Sequence, residues 1–306
     1  MENLGVYAAR LAPKIDGLAP GHRACIGCGE ALAVRIACKA MGSNVIVANA
    51  TGCMEVISSQ LPATAWDMPW IHTLFENNSA VASGIESALK VMIRKGKIAD
   101  KGTKVVAMGG DGATSDIGFQ ALSGALERGH DFLYLMFDNE AYMNTGIQRS
   151  SSTPYGAWTT TTTGQDWKRL RKKNIVEVLV AHRIPYVATA SIAFPDDLLR
   201  KAQKAKETKG SKFLHIYASC PTGWRIPSEM SVKIARMAVQ TNIFPLYEVE
   251  DGLRYTINYK PKEYLVREYF KLQGRFKHLT DQDLDQIQQM VNEDWELLLR
   301  KAGEHA

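Results

Sequence analysis

The stretch GDGATSDIGFQALSGALERGHDFLYLMFDN, residues 110–139, contains the strongest indication of the fold. It opens with Asp111 between two glycines and closes with Asn139, and a helix-length segment (115–128) and an apolar strand-length segment lie between them. Another apolar run, residues 104–110, leads into the first glycines. A strand, a helix and a second strand in this order bring the ends of two parallel strands side by side. The sequence therefore predicts that Asp111 and Asn139 meet at the edge of a sheet where α/β proteins bind ligands.

The same alternation continues on both sides of this stretch. Near-continuous apolar strands separated by helices are typical of a parallel sheet that is covered by helices on both faces. We therefore predict an α/β domain over residues 1–240. Its predicted strands are residues 44–50, 104–110, 131–139, 186–193 and 213–220, and its predicted helices are residues 30–42, 78–96, 115–128 and 195–207.

The remainder, residues 241–306, is predicted to be a helical C-terminal extension. The chain reads as irregular over residues 242–261 and then gains an apolar stripe at helical spacing near its end. We expect this helix to pack on the domain or on a partner subunit. The stripe consists of Leu284, Ile287, Met290, Val291, Trp295, Leu298 and Leu299.

Composition excludes several classes of protein. The net charge is only +5 and no dense Lys/Arg block occurs, so no nucleic-acid partner is expected. No apolar run of about 18 residues is present, so no membrane span is expected. The N-terminal segment lacks the basic start and apolar core of a signal peptide, and the number of cysteines, five, is odd. A cytoplasmic protein without a disulfide framework is therefore predicted.

Asp111 and Asn139 have the chemistry of a magnesium–diphosphate site. Gly110 and Gly112 let the backbone turn sharply and approach a phosphate closely. Carboxylate and amide oxygens suit Mg²⁺, which commonly bridges protein oxygens to phosphate oxygens. Without the strand before it and Asn139 at the next strand end, the Gly-Asp-Gly tripeptide would indicate only a turn.

Four cysteines are predicted to converge at the same edge of the sheet. Cys25 and Cys28 form a CxxC pair before the first helix, and Cys53 and Cys220 each follow a predicted strand. Four thiolates suit either Zn²⁺ or an iron–sulfur cluster, and the alternative is a set of unrelated buried thiols. The fifth, Cys38, lies in the middle of a predicted helix and is interpreted as a small packing residue.

Together these motifs resemble the thiamine diphosphate enzymes, in which a Gly-Asp-Gly turn is followed, one helix and one strand later, by Asn. The cysteines narrow the resemblance to the β subunit of the 2-oxoacid:ferredoxin oxidoreductases, above all the pyruvate:ferredoxin oxidoreductase (pyruvate synthase) group. The LFENNSAVASG segment resembles the pyruvate and branched-chain branches. The matching blocks are GHRACIGCGE (21–30), NATGC (49–53), PWIHTLFENNSAVASG (69–84), GDGATSDIG (110–118), DNEAYMNTGIQ (138–148) and CPTGW (220–224).

The resemblance implies the diphosphate-binding module of the thiamine diphosphate fold and a role for each matching residue. It implies a 4Fe-4S cluster on Cys25, Cys28, Cys53 and Cys220, and Mg²⁺ on Asp111, Asn139 and the carbonyl of Ala141. Asn144 is implied to lie close to the substrate; without the resemblance it would be an ordinary turn residue, and Glu30 a first-turn helix carboxylate. The implied thiamine diphosphate contacts are Glu30, Cys53, Gly110, Asp111, Gly112, Ala113, Asn139, Ala141, Tyr142 and Asn144.

The resemblance also implies the reaction and the partners. The implied reaction is the reversible oxidative decarboxylation of pyruvate to acetyl-CoA and CO₂, with electrons passing through the cluster to ferredoxin. The activating glutamate and most of the substrate pocket are expected from an α subunit, and a ferredoxin-like cluster subunit is expected to carry electrons onward. Alternative substrates are a branched-chain 2-oxoacid or oxalate. The alternative from another class is a zinc-stabilised assembly module without catalysis.

Overall fold

The computed structural model describes residue 14 and residues 16–60, 62–261 and 265–304. Residues 1–13, the main basis for predicting no signal peptide, lie outside this part. The strands are β1 (Val45–Ala50), β2 (Trp70–Thr73), β3 (Lys104–Gly110), β4 (Leu133–Asp138), β5 (Tyr186–Ser191), β6 (Lys212–Tyr217), β7 (Tyr247–Glu250) and β8 (Arg254–Ile257). The α-helices are α1 (Gly29–Met41), α2 (Cys53–Ser58), α3 (Asn78–Arg94), α4 (Asp111–Ser115), α5 (Phe119–Glu127), α6 (Ile175–Val180), α7 (Pro195–Glu207), α8 (Pro221–Trp224), α9 (Ser231–Gln240), α10 (Val266–Phe270) and α11 (Asp281–Lys301).

These strands form one sheet in the order β2-β1-β3-β4-β6-β5-β7-β8. The first six strands pair in parallel, which confirms the predicted α/β architecture. The four neighbouring strands β1, β3, β4 and β6 lie between β2 on one side and β5, β7 and β8 on the other. Their carboxyl ends therefore form one continuous edge, and each is followed directly by one of the segments that the sequence analysis singled out.

The far edge of the sheet differs from the prediction. The segment interpreted as irregular, residues 242–261, contains β7 and β8, which pair with each other in antiparallel fashion and extend the sheet beyond β5. In β7, Tyr247 and Val249 are buried while the alternating residues are half-buried, which is the pattern of a strand with one solvated face. Because each strand has only four residues, the alternation was too short to recognise.

The helix predicted over residues 115–128 is also interrupted. The short helix α4 ends at Ser115, and α5 begins only at Phe119. Asp116 ends α4 in a non-helical conformation, and its carboxylate accepts the backbone N–H of Ser151 at 3.0 Å. A contact with a distant loop therefore breaks a segment whose local pattern is helical.

Apolar side chains bury both faces of the sheet. α1, α7 and α9 cover one face, where Cys38 is buried in the core as predicted, and α3, α5 and α6 cover the other. The C-terminal helix α11 packs on this chain: Leu284 and Ile287 join the first cluster and Leu298 joins the second. None of the helices in the described part of the chain is long and apolar enough to cross a lipid bilayer. The division at residue 240 stays a prediction.

Candidate cofactor site at the carboxyl edge of the sheet

The turn from β3 into α4 forms the first wall of the site. β3 ends at Gly110 and α4 begins at Asp111 without an intervening loop. A Cβ atom on Gly112 would lie 2.3 Å from ring atom Cε1 of Tyr142, so only glycine fits beneath that ring. The Tyr142 hydroxyl in turn donates to the Gly112 carbonyl at 3.4 Å. The glycine turn after β3 and the segment that follows Asn139 are therefore in direct contact.

Asn139, directly after β4, completes a set of three oxygen atoms that could bind a metal ion. One side of its amide lies 3.1 Å from Asp111 Oδ1 and 2.9 Å from the Ala141 carbonyl oxygen. With its nitrogen on that side, the amide donates to both. With its oxygen on that side, three oxygens surround one point and the nitrogen donates to Glu30 Oε2 at 3.4 Å. The second arrangement is favourable when a cation lies among the oxygens, so rotation of one amide adapts the set to an ion.

The electrostatics of Asp111 fit a cation. Burial raises the pKa of its carboxyl well above the ordinary value, and the nearby Asp138 carboxylate raises it further. The Ser150 hydroxyl donates to Asp111 Oδ2, and it is the main hydrogen-bond donor that offsets this effect. A carboxyl buried in this way ionises readily only when a positive charge is supplied.

Glu30 enters the site from the first turn of α1. The side chain is buried, and this burial raises the pKa of its carboxyl to about 7, although the hydrogen bond from Asn139 opposes the rise. In the alternative role, as an ordinary first-turn carboxylate, Glu30 would be exposed, and the helix N-terminus would favour its ionised form. Glu30 is instead buried beside Asn139, so it belongs to the same polar site as Asp111, Asn139 and the Ala141 carbonyl.

All ten residues predicted to contact the cofactor line one cleft. The cleft also includes five residues that were not singled out: two precede Cys53, one follows β2, and two lie beside Asn144. All five, Thr51, Gly52, Phe75, Met143 and Thr145, fall in the matching sequence blocks, but nothing in their type marked them as site residues. The lining residues are Glu30, Thr51, Gly52, Cys53, Phe75, Gly110, Asp111, Gly112, Ala113, Asn139, Ala141, Tyr142, Met143, Asn144 and Thr145.

The cysteines lie where three segments approach each other. Cys28 caps α1, Cys53 opens α2, and Cys220 caps α8, where its sulfur accepts the Gly223 N–H at 3.3 Å. The backbone N–H of Gly29 donates to the Ser219 carbonyl at 3.0 Å. This contact joins the CxxC loop to the residue before Cys220.

A serine bridge strengthens the same junction. The Ser231 hydroxyl lies 2.6 Å from the Gly27 carbonyl oxygen and 2.5 Å from the Ser219 hydroxyl. Ser231 therefore links the loop that carries Cys25 and Cys28 to the segment that carries Cys220. Sequence reasoning missed this residue because a serine at the start of a helix has many ordinary roles.

The thiols influence one another electrostatically. Burial raises the pKa of Cys28 to about 12 and raises that of Cys53 further. Glu30 is the second cause for both, and the next charged neighbours of Cys53 are Cys220, Cys28 and Cys25. All four thiols are free, and among the described residues no three His, Cys, Asp or Glu side chains are placed to hold one metal ion. The cysteines thus share one region without closing around a single ion.

The outer rim of the cleft is exposed and partly apolar. Asn144 is exposed at the tip of a tight loop in which the backbone groups of Tyr142 and Gln148 bond each other. Leu74 and Ile117, on the segments beside the cleft, are 61% and 56% exposed, and Ile26 in the CxxC loop is 84% exposed. These side chains belong to segments that adjoin the cleft or the cysteines along the chain, and a contiguous patch of such exposed apolar side chains would suit a surface that another protein covers.

Comparisons with known proteins agree with this geometry. Residues 50–216 match the family described as "Thiamine pyrophosphate enzyme, C-terminal TPP binding domain". Pyruvate synthase subunit PorB of Methanocaldococcus jannaschii is 54% identical over 94% of this chain and 97% of that relative, and ketoisovalerate oxidoreductase subunit VorB of Pyrococcus furiosus is 51% identical over 92% of each.

A solved structure has a similar fold. A chain of 2-oxoglutarate:ferredoxin oxidoreductase from Magnetococcus marinus, determined with 2-oxoglutarate, coenzyme A and succinyl-CoA bound, superimposes with a TM-score of 0.56. It is 23% identical, and the match covers 72% of this chain and 79% of that chain, so it supports the fold alone. Taken with the curated relatives, these findings establish that the chain belongs to the thiamine-diphosphate-dependent 2-oxoacid:ferredoxin oxidoreductases, as a subunit of the pyruvate synthase type.

Proposed function

We propose that this chain is the cofactor-binding subunit of a cytoplasmic pyruvate synthase. With its partners it catalyses the reversible conversion of pyruvate and coenzyme A to acetyl-CoA and CO₂, and electrons leave through a 4Fe-4S cluster to ferredoxin. The observation that carries the proposal is the cleft in which the Asp111, Asn139 and Ala141 oxygens converge beside Glu30 and Cys53.

The oxygen-lined half of the cleft fits Mg²⁺ and a diphosphate. Asp111, Asn139 and the Ala141 carbonyl would hold the ion, while the backbone of residues 110–113 would surround the diphosphate. Thiamine diphosphate, when bound, supplies the electron sink for decarboxylation of a 2-oxoacid. This chain would bind and orient the cofactor and its Mg²⁺. The Ser150 hydroxyl holds the Asp111 carboxylate in place, and the Tyr142 ring packs over the glycine turn.

The sulfur half of the site, Cys25, Cys28, Cys53 and Cys220, lies beside the cleft and fits a 4Fe-4S cluster. Such clusters are held by four cysteine thiolates that surround several iron atoms, whereas structural zinc requires all its ligands around one ion. The described thiols are free and lie near one another, which suits either metal, and the family to which the chain belongs favours the cluster over the zinc alternative. Iron, acid-labile sulfide and zinc assays on the purified complex separate the two: iron with sulfide supports the proposal, and zinc alone contradicts it.

Partner subunits complete the site. The exposed Asn144 and the apolar rim face away from this chain's core, so the activating glutamate and most of the substrate pocket come from an α subunit. A cluster-bearing subunit then connects the site to ferredoxin. Purified alone, the chain should not decarboxylate 2-oxoacids; full activity without partners would contradict this division of labour.

The substrate is tested with the complete complex. After co-purification with its partner subunits, 2-oxoacids are screened for coenzyme A-dependent reduction of a viologen dye. We expect the highest kcat/KM with pyruvate. A higher value with 2-oxoisovalerate would favour the second candidate, a branched-chain enzyme, which the identity with ketoisovalerate oxidoreductase subunits supports. Absence of dye reduction with every 2-oxoacid would contradict the proposed function.

A further inference from the structure

Glu140 lies between two of the three proposed Mg²⁺ ligands and has an unusual backbone. Its φ of 69° is in the left-handed region, which side chains other than glycine, asparagine and aspartate rarely adopt. This conformation turns the chain so that the Asn139 side chain and the Ala141 carbonyl reach the same point. Such strain persists only when the surroundings over-determine it.

Three contacts fix the backbone on either side of Glu140. Its N–H donates to Asp138 Oδ1 at 3.0 Å, and its carbonyl accepts the Thr153 hydroxyl at 2.8 Å. The Asn139 carbonyl accepts the indole N–H of Trp224 at 2.8 Å. The tight turn is therefore held by one side chain at its own start, Asp138, and by side chains from two other segments.

The Glu140 side chain points away from the cleft into a buried set of charges. Its Oε2 lies 2.5 Å from Arg275 Nη2 and its Oε1 lies 3.0 Å from Lys172 Nζ. The side chains of Glu140 and Arg275 are 2% and 3% exposed. An ion pair buried to this degree has a precise geometry, because neither group can turn to water instead.

Arg275 contacts both flanks of Asn139. Besides its bond to Glu140, its guanidinium carbon lies 4.2 Å from the centroid of the Trp224 ring, the ring whose N–H holds the Asn139 carbonyl. Gln273 accepts the Arg275 Nε–H at 3.0 Å and orients the guanidinium. Arg275 lies on a short 3-10 turn (Gly274–Phe276) far along the chain in the C-terminal part of the sequence.

We propose that Arg275 is a positioning residue for the magnesium–diphosphate site, which it shapes through Glu140 and Trp224, so that the C-terminal segment sets the affinity for the cofactor. This inference rests on the proposed function. A lysine would not replace Arg275, because only the planar guanidinium can bond Glu140 while it stacks on Trp224.

The test uses the complete complex purified without cofactor. Arg275→Met is compared with Arg267→Met, a matched control on α10 of the same C-terminal segment whose exposed partners are Asp281 and Asp285. Mg²⁺ and thiamine diphosphate are titrated by calorimetry, independently of turnover. We expect Arg275→Met to weaken their binding by about 10- to 100-fold, as for other residues that orient metal ligands, and Arg267→Met to leave it unchanged.

Two further variants separate positioning from general destabilisation. Glu140→Gln should weaken binding similarly, and the double variant with Arg275→Met should be no weaker than the worse single variant, since both act through one contact. Trp224→Phe keeps the stacked ring but removes the N–H bond to Asn139, so it serves if Arg275→Met fails to assemble; we expect it also to weaken binding of Mg²⁺.

The outcomes are distinct. If the wild-type complex binds neither Mg²⁺ nor thiamine diphosphate, the proposed function fails and the inference fails with it. If the wild-type complex binds both and Arg275→Met or Trp224→Phe binds them equally well, the inference alone is overturned. Equal weakening in Arg267→Met would also overturn it, because the effect would then come from the segment rather than from Arg275.

Discussion

The candidate site has an oxygen half, formed by Asp111, Asn139 and the Ala141 carbonyl in the cleft, and a neighbouring sulfur half, formed by the four cysteines, of which Cys53 lines the cleft. In the first, the polar side chains are buried and come from the ends of adjacent strands within one βαβ unit. In the second, Cys25 is exposed, the other three thiols are partly exposed, and the ligands come from three separate segments. The oxygen half is thus largely preformed, whereas the sulfur half depends on the approach of distant loops.

This difference explains which parts of the site the sequence could predict. Asp111 and Asn139 meet because a single strand–helix–strand unit fixes their positions, so local patterns were sufficient. Arg275 was not predictable, because its contact with Glu140 spans 135 residues and depends on a fold that no local pattern encodes. The same holds for β7 and β8, which are short and are stabilised by pairing, β7 with β5 and β8 with β7.

The largest effect is expected from Asp111→Asn, which breaks the oxygen half. Asparagine keeps the shape and the bond from Ser150 but loses the charge that Mg²⁺ requires, so affinity for Mg²⁺ should fall by more than about 100-fold and turnover should cease. Calorimetry of the complex measures this, with Asp100→Asn, in the exposed loop before β3, as the control. Normal cofactor affinity in Asp111→Asn would show that the oxygen set does not bind the ion.

Cys53→Ala should break the sulfur half and leave the oxygen half intact. We expect loss of the cluster's visible absorbance and of ferredoxin reduction, with Mg²⁺ binding retained, because Cys53 is not one of the three oxygen ligands. Cys38→Ala is the matched control, since that thiol is packed in the core away from the cleft. An iron-free Cys53→Ala complex with full activity would contradict the cluster assignment.

Gly112→Ala tests how tightly the oxygen half is built. The added methyl group would collide with the Tyr142 ring, so the ring or the turn must move, and thiamine diphosphate affinity should fall by about 10- to 100-fold. Gly84→Ala on α3, where a Cβ meets nothing within 4 Å, should leave affinity unchanged. Equal cofactor binding by both variants would mean that the Tyr142 contact plays no part in the site.

The smallest expected effect is a change in thermal stability with pH that is due to Lys168. Its ammonium group donates to the Ser151 carbonyl at 3.0 Å and so supports the loop behind Asp111. Burial, followed by repulsion from Arg149 and Lys172, lowers the pKa of Lys168 to about 8. Between pH 8 and its ordinary pKa, the unfolded chain binds more protons than the folded chain, so stability due to this group rises with pH. The wild-type melting temperature should therefore rise relative to that of Lys168→Met from pH 8 to pH 10; a constant difference would contradict the assignment.

We propose that the oxygen half and the sulfur half of the site hold their cofactors side by side on one chain. Mn²⁺ accepts the same oxygen ligands as Mg²⁺ and is paramagnetic, so it can report on a neighbouring reduced cluster. The direct measurement is the electron paramagnetic resonance spectrum of the Mn²⁺-loaded complex before and after reduction, for wild type and for Cys53→Ala. We predict that reduction broadens the Mn²⁺ signal in the wild type only; a signal unchanged by reduction in the wild type would show that the two cofactors do not lie side by side.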